Sequence, residues 1–96
     1  MNPNHHTKPQ IEIAQQSPTI YLVTITEPTS KSTHVVTITA TERAKYTPTA
    51  TPEALLRASF EFLLEREPKE SIMRQFSLST IESYFPDYPT EIRARL

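Results

Sequence analysis

The sequence predicts an α+β domain: a small antiparallel sheet, made of a hairpin and a third strand, followed by two or three helices packed on one face. Three observations predict it. Two short stretches alternate β-branched or aromatic residues with threonine. A wide apolar arc at helical spacing follows them. Of nine prolines, in a chain with no glycine, Pro52, Pro68 and Pro86 fall where helices have to begin or end.

The elements follow in order. Residues 1–19 hold only Met1, Ile11, Ile13 and Ala14 as apolar groups, separated by Pro3, Pro9 and Pro18. This composition cannot bury enough surface to offset the entropy of ordering, so residues 1–19 are expected to be a disordered tail, and residues 20–96 a single α+β domain. Ile11 to Ile13 could add a strand. Ile20 to Thr26 reads as a strand with Tyr21, Val23 and Ile25 on one face. His34 to Ala40 reads as its partner, with Val36, Ile38 and Ala40 on one face. The intervening Glu27 to Thr33 is expected to be an open loop, because without glycine or asparagine a two-residue primed turn is disfavoured. Arg43 to Thr47 is the candidate third strand.

Thr51-Pro52-Glu53 then has the form of a helix start: an N-cap hydroxyl, a proline at the first helical position, and an acid at the positive end of the dipole. The helix should run to about Arg66. Glu53, Arg57, Glu61 and Glu65 form its polar stripe, and Leu55, Leu56, Ala58, Ser59, Phe60, Phe62 and Leu63 its apolar arc. Pro68 ends it, since the residue before a proline disfavours the α conformation. Residues 69–76 are expected to be a second helix presenting Ile72, Met73 and Phe76. Ser79-Thr80-Ile81-Glu82 has the spacing of a capping box for a third helix, stopped by Pro86. A final turn is expected over residues 90–96.

Composition excludes several chemistries. With no cysteine there is no disulfide, thiol nucleophile or thiolate zinc site, a pattern that fits a reducing cytoplasm. With no glycine there is no Walker loop and no dinucleotide fingerprint. The formal net charge is −1, too balanced for counterion release alone to drive nucleic-acid binding. No apolar run approaches a membrane span and no secretory leader is visible, so no membrane partner is expected.

Candidate sites are few. His5 and His6 are adjacent in the tail but lack further ligands, so no metal site and no cofactor are expected. His34 opens a strand without a placeable carboxylate or nucleophile beside it. Glu65-Arg66-Glu67-Pro68-Lys69-Glu70 interleaves opposite charges and reads as a solvated corner between helices. Ser59 lacks the strand–elbow–helix setting of a hydrolase nucleophile and reads as a small packing residue. Tyr84-Phe85-Pro86-Asp87-Tyr88-Pro89 is the most distinctive segment. Its plain reading is a core plug and helix stop. Its sharper reading is an interaction surface carried by Tyr84, Phe85, Asp87 and Tyr88, since tyrosine offers apolar area with a polar tip at low entropic cost.

Ser59-Phe60-Glu61-Phe62-Leu63-Leu64-Glu65-Arg66-Glu67-Pro68, with Ser71-Ile72, Phe76, Leu78, Ile81 and Tyr84-Phe85-Pro86-Asp87-Tyr88-Pro89, resembles a small uncharacterised family of bacterial proteins over roughly residues 20–89. The resemblance implies a bacterial cytoplasmic protein. The family has no assigned activity, so no functional residue carries over.

The functional expectation is a non-enzymatic interaction module whose partner is another protein or a second copy of the chain, the latter through the edge of the strand Val35 to Thr39. One alternative is an antitoxin-like nucleic-acid regulator using Lys31, Arg43, Lys45, Arg93 and Arg95. Another is a small enzyme with a pocket holding His34 and a carboxylate.

Overall fold

The computed structural model describes residues 9–96. It has an α+β fold, with three strands first, helices after them, and a short fourth strand among the helices. The sheet has four strands in the order β1-β2-β3-β4: β1 (Gln10–Gln15), β2 (Ile20–Glu27), β3 (Ser30–Thr37) and β4 (Gln75–Ser77). The first three are antiparallel, and β4 joins β3 in parallel, so the sheet is mixed. The helices are α1 (Ala40–Tyr46), α2 (Pro52–Arg66), α3 (Thr80–Tyr84) and α4 (Tyr88–Arg95).

Register explains why only one sheet face is covered. Tyr21 pairs with Val36, which pairs in turn with Phe76, and Val23 pairs with His34. Ile11 pairs with Ile25, completing the row. All seven are buried, because cross-strand partners share a face and the helices lie on this one. The opposite face carries Leu22 against Val35 and Thr24 against Thr33, half-buried or exposed.

Several expectations are corrected. Gln10–Gln15 of the expected tail is the edge strand β1, paired along its full length with β2. Its alternation was there in Ile11 and Ile13, but two residues are too few to establish a period. Residues 1–8 lie outside the described residues. The β2–β3 connection is a two-residue turn, Pro28-Thr29, closed by the pair Glu27–Ser30. Pro28 fixes a negative φ at the first loop position, so this tight turn is not of the primed kind. Arg43 to Thr47, the candidate third strand, belongs largely to α1. Thr39 and Glu42 cap that helix reciprocally: the Thr39 hydroxyl accepts from the Glu42 N–H at 3.1 Å and Glu42 accepts from the Thr39 N–H at 2.9 Å. The expected helix over residues 69–76 is a single 3₁₀ turn, Lys69–Ser71, followed by β4. Because β4 pairs with β3, the edge proposed for dimerisation, Val35 to Thr39, lies largely inside the sheet.

α2 matches its sequence signals. The Thr51 hydroxyl accepts from the Ala54 N–H at 3.1 Å and Pro52 opens the helix. Glu53, Arg57, Glu61 and Glu65 are all exposed. The wide arc meets two sets of partners. Phe60 faces the sheet, with ring centroids 5.5 Å from His34 and 6.1 Å from Phe76. Phe62 faces the C-terminal helices, edge-on to Tyr88 at 5.4 Å and Phe85 at 5.8 Å, and the Arg66 guanidinium lies 3.8 Å from its centroid. Tyr88 in turn packs edge-on against Tyr46 at 4.9 Å.

Phe62 is fully buried at the junction of these rings. Phe62→Ala is expected to cost about 3–5 kcal/mol, through lost transfer energy and the cavity left behind. Chemical denaturation checks this, and an unchanged midpoint would contradict it.

Candidate functional site

The structure disperses the residues of the C-terminal aromatic segment. Tyr88 is fully buried, and its hydroxyl lies 2.6 Å from the Ser59 hydroxyl. Ser59 donates its one proton to the Leu55 carbonyl at 2.7 Å, so Tyr88 is the donor in that pair. Tyr88 and Ser59 are therefore core partners, and burial pushes the Tyr88 phenol above its usual pKa. Asp87 accepts from Arg66 at 2.7 Å, on the exposed end of α2. Phe85 is half-buried against Phe62. Tyr84 alone stands out, 66% exposed.

Tyr84 borders a groove of about 200 Å³. Its floor is Leu63, Ile72, Phe76 and Ile81, and Phe85, Met73, Ser71 and Glu67 complete the wall. Met73 is 38% exposed, so two large apolar side chains left in water flank one apolar depression. Glu67 is half-buried at its border, and burial alone pushes its carboxyl above the usual range. The sequence singled out Tyr84 and Phe85. It missed Met73 and Glu67, because what brings them there is the fold of residues 69–77.

That fold depends on Lys69. The expected solvated corner is corrected at this residue: Lys69 is 2% exposed. Its ammonium contacts Glu70, reaches Glu27 at 2.9 Å and donates to Ser30. Hydrogen bonds to Glu70 and Glu27 hold its pKa above the ordinary ammonium value. The pair pins the 3₁₀ turn to the β2–β3 hairpin, and β4 follows four residues later.

His34 secures the same segment from the other side. It is 1% exposed, and its Nδ1 lies 2.7 Å from the Met73 carbonyl. A carbonyl only accepts, so Nδ1 carries the proton; in the neutral ring Nε2 then accepts from the Ser32 hydroxyl at 2.8 Å. The adjacent Val35 N–H donates to the Arg74 carbonyl at 2.7 Å. Both ring nitrogens are occupied and Phe60 covers the ring. His34 thus has the setting of a structural histidine, with no carboxylate bonded to it among the described residues.

Glu42 ties α1 to α3. One oxygen accepts from Thr39 and the other from the Ser79 N–H at 2.9 Å. Burial raises its pKa, but the hydrogen bonds from Ser79 and Thr39 together outweigh burial and hold it below the usual range. The expected capping box at Ser79 does not form, because Ser79 adopts helical angles. Glu82, its expected partner, instead accepts from the Tyr46 hydroxyl at 2.8 Å and pairs with Lys45 at 3.0 Å.

Of the five basic residues considered for nucleic acid, two pair with acids and two donate to backbone carbonyls. Lys45 pairs with Glu82 and Arg95 with Glu65 at 2.6 Å. Arg43 donates to the Ala50 carbonyl and Arg93 to the Lys45 carbonyl. Lys31 lies on β3, at its hairpin end. Among the described residues, no group of three or more His, Asp or Glu side chains is placed to hold a metal ion, and no helix is long and apolar enough to cross a membrane. Comparison with protein-family models, curated proteins and solved structures found no match.

Burial pushes the His34 pKa below its ordinary value; the bond to Met73 opposes this and the Arg74 charge adds to it. The unfolded chain therefore binds the proton more tightly. Stability is full above about pH 6.5 and falls as pH drops from there towards the depressed native pKa. NMR titration of the His34 ring is expected to give a midpoint below about 6.5, and His34→Gln to flatten the acid-side fall in melting midpoint. A midpoint at or above the ordinary value, with parallel pH profiles for the two proteins, would contradict this.

Proposed function

We propose that the chain is a non-enzymatic interaction module and that its docking surface is the groove bordered by Tyr84, Phe85 and Met73. One observation carries the reading: of the three large hydrophobic side chains left exposed among the described residues, Met73, Tyr84 and Leu96, two flank the same apolar depression. Surface hydrophobes scattered singly need no explanation, whereas adjoining ones around a concavity mark binding sites. Size supports a peptide over a cofactor. At about 200 Å³ the groove is smaller than the ~300 Å³ at which ordinary small-molecule pockets begin, and suits one or two side chains of a partner. The lack of cysteine fits a reducing compartment such as the cytoplasm.

Self-association is a second reading, favoured by β1. It is an edge strand of six residues with no proline and Glu12 as its only charge, and such an edge attracts strands unless it is blocked.

Peptides selected by the protein from a random-sequence display library, titrated into isotope-labelled protein, test the first reading. Amide shifts are expected to cluster at Met73, Tyr84 and Phe85, and Tyr84→Ser, an exposed substitution that leaves the fold intact, is expected to weaken binding about tenfold. Shifts elsewhere, or full binding by Tyr84→Ser, would contradict it. Shifts confined to Gln10–Gln15 that grow with protein concentration alone would favour the second.

A further inference from the structure

We infer that the groove takes a peptide segment in which a lysine or arginine neighbours a large apolar residue, with the apolar side chain between Met73 and Tyr84 and the cation against Glu67. This rests on the reading of the chain as an interaction module and adds the chemistry of the partner.

The argument begins with the carboxylates. Near the groove, Glu65 pairs with Arg95, Glu70 and Glu27 with Lys69, and Asp87 with Arg66. Glu42 is fully hydrogen-bonded. Among the described residues, Glu12, Glu53 and Glu61 also lack ion pairs, but all three are exposed, and water solvates them. Glu67 is the exception: half-buried, lining the apolar groove, and without a cation or hydrogen-bond donor among the described residues. A charge in that position loses hydration without compensation.

The two cations nearest in sequence, Arg66 and Lys69, are committed elsewhere, and Arg57, which borders Glu67 on the side away from the groove, is exposed to water. Arg66 is turned towards Asp87 and stacked over Phe62. Lys69 is enclosed by Glu27, Glu70 and Ser30. Among the described residues the site therefore holds an unmatched negative charge beside unmatched apolar surface. A segment presenting both a cation and an apolar group satisfies the two together. An acidic segment would add repulsion in a place where water screens it poorly. Met73 suits the apolar half, because its flexible thioether repacks around differing side chains.

Glu67 can be changed without disturbing the fold. It closes α2 through its backbone N–H, which donates to the Leu63 carbonyl at 3.0 Å, and not through its side chain. Panning a random-sequence peptide library against the full chain and against its Glu67→Gln variant, with circular dichroism confirming that both are folded, tests the inference. The wild-type protein is expected to enrich apolar residues adjacent to lysine or arginine, and replacing that cation by glutamine in a selected peptide to weaken binding at least about fivefold. Glu67→Gln is expected to retain the apolar enrichment and lose the basic one. Apolar enrichment without basic residues, or a basic preference that survives Glu67→Gln, would overturn the inference and leave the interaction module standing. No enrichment at all, or a second copy of the chain occupying the groove in the absence of peptide, would overturn both.

Discussion

The ion pair between the buried Lys69 ammonium and the half-exposed Glu27 carboxylate is the constraint on which the arrangement of the C-terminal half depends. α2 must stop at Glu67 because Pro68 follows, and the chain has no glycine with which to reverse direction. What replaces a glycine turn is a lysine driven into the hairpin end of the sheet, where Glu27 and Ser30 receive it. A buried ammonium without partners would be strongly unfavourable, so the 3₁₀ turn can settle only where those oxygens are. Residues 72–77 are then delivered alongside β3, and the bonds His34–Met73, Val35–Arg74 and Leu78–Thr37 fasten them there.

The groove is a by-product of the same geometry. The return segment crosses beside the end of α2, and α3 begins immediately after β4. Residues 71–73, Glu67 and Tyr84 thereby surround a space that none of them fills. Meanwhile the aromatic cluster of Phe62, Tyr88, Tyr46 and Phe85 holds α4 and α3 against the far side of α2. The remaining polar ties, Glu42 to Ser79 and Tyr46 to Glu82, join α1 to α3. The surface that stays apolar and open lies between the end of α2, the return segment and α3.

Legibility in the sequence followed the range of the signal. β2, the core of β3 and α2 were readable because periodicity and capping are local: Tyr21, Val23 and Ile25 alternate, and Thr51-Pro52 begins a helix wherever it occurs. β4 was not, because three residues define no period, and Gln75 to Ser77 become a strand only through pairing with residues 35–37. The same limit hid the roles of His34 and Lys69, whose partners Met73 and Ser30 each lie 39 residues away. Capping boxes show a subtler failure. Thr39-x-x-Glu42 and Ser79-x-x-Glu82 have equal spacing, yet only the first closes, and its glutamate also takes the Ser79 N–H. Of the site itself, Tyr84 and Phe85 stood out by composition. Tyr88 and Asp87, equally conspicuous, are claimed by the core and by Arg66. Met73 and Glu67 carry no local mark at all.

Hydrogen–deuterium exchange on Lys69→Ala shows whether the Lys69–Glu27 contact holds the return segment against β3. If the buried ammonium fixes the return segment, the amide of Val35, which donates to the Arg74 carbonyl, and that of Leu78, which donates to the Thr37 carbonyl, will exchange much faster than in the wild-type protein, while those between β1 and β2 stay protected. Protection of Val35 and Leu78 equal to that of the wild type would contradict the account.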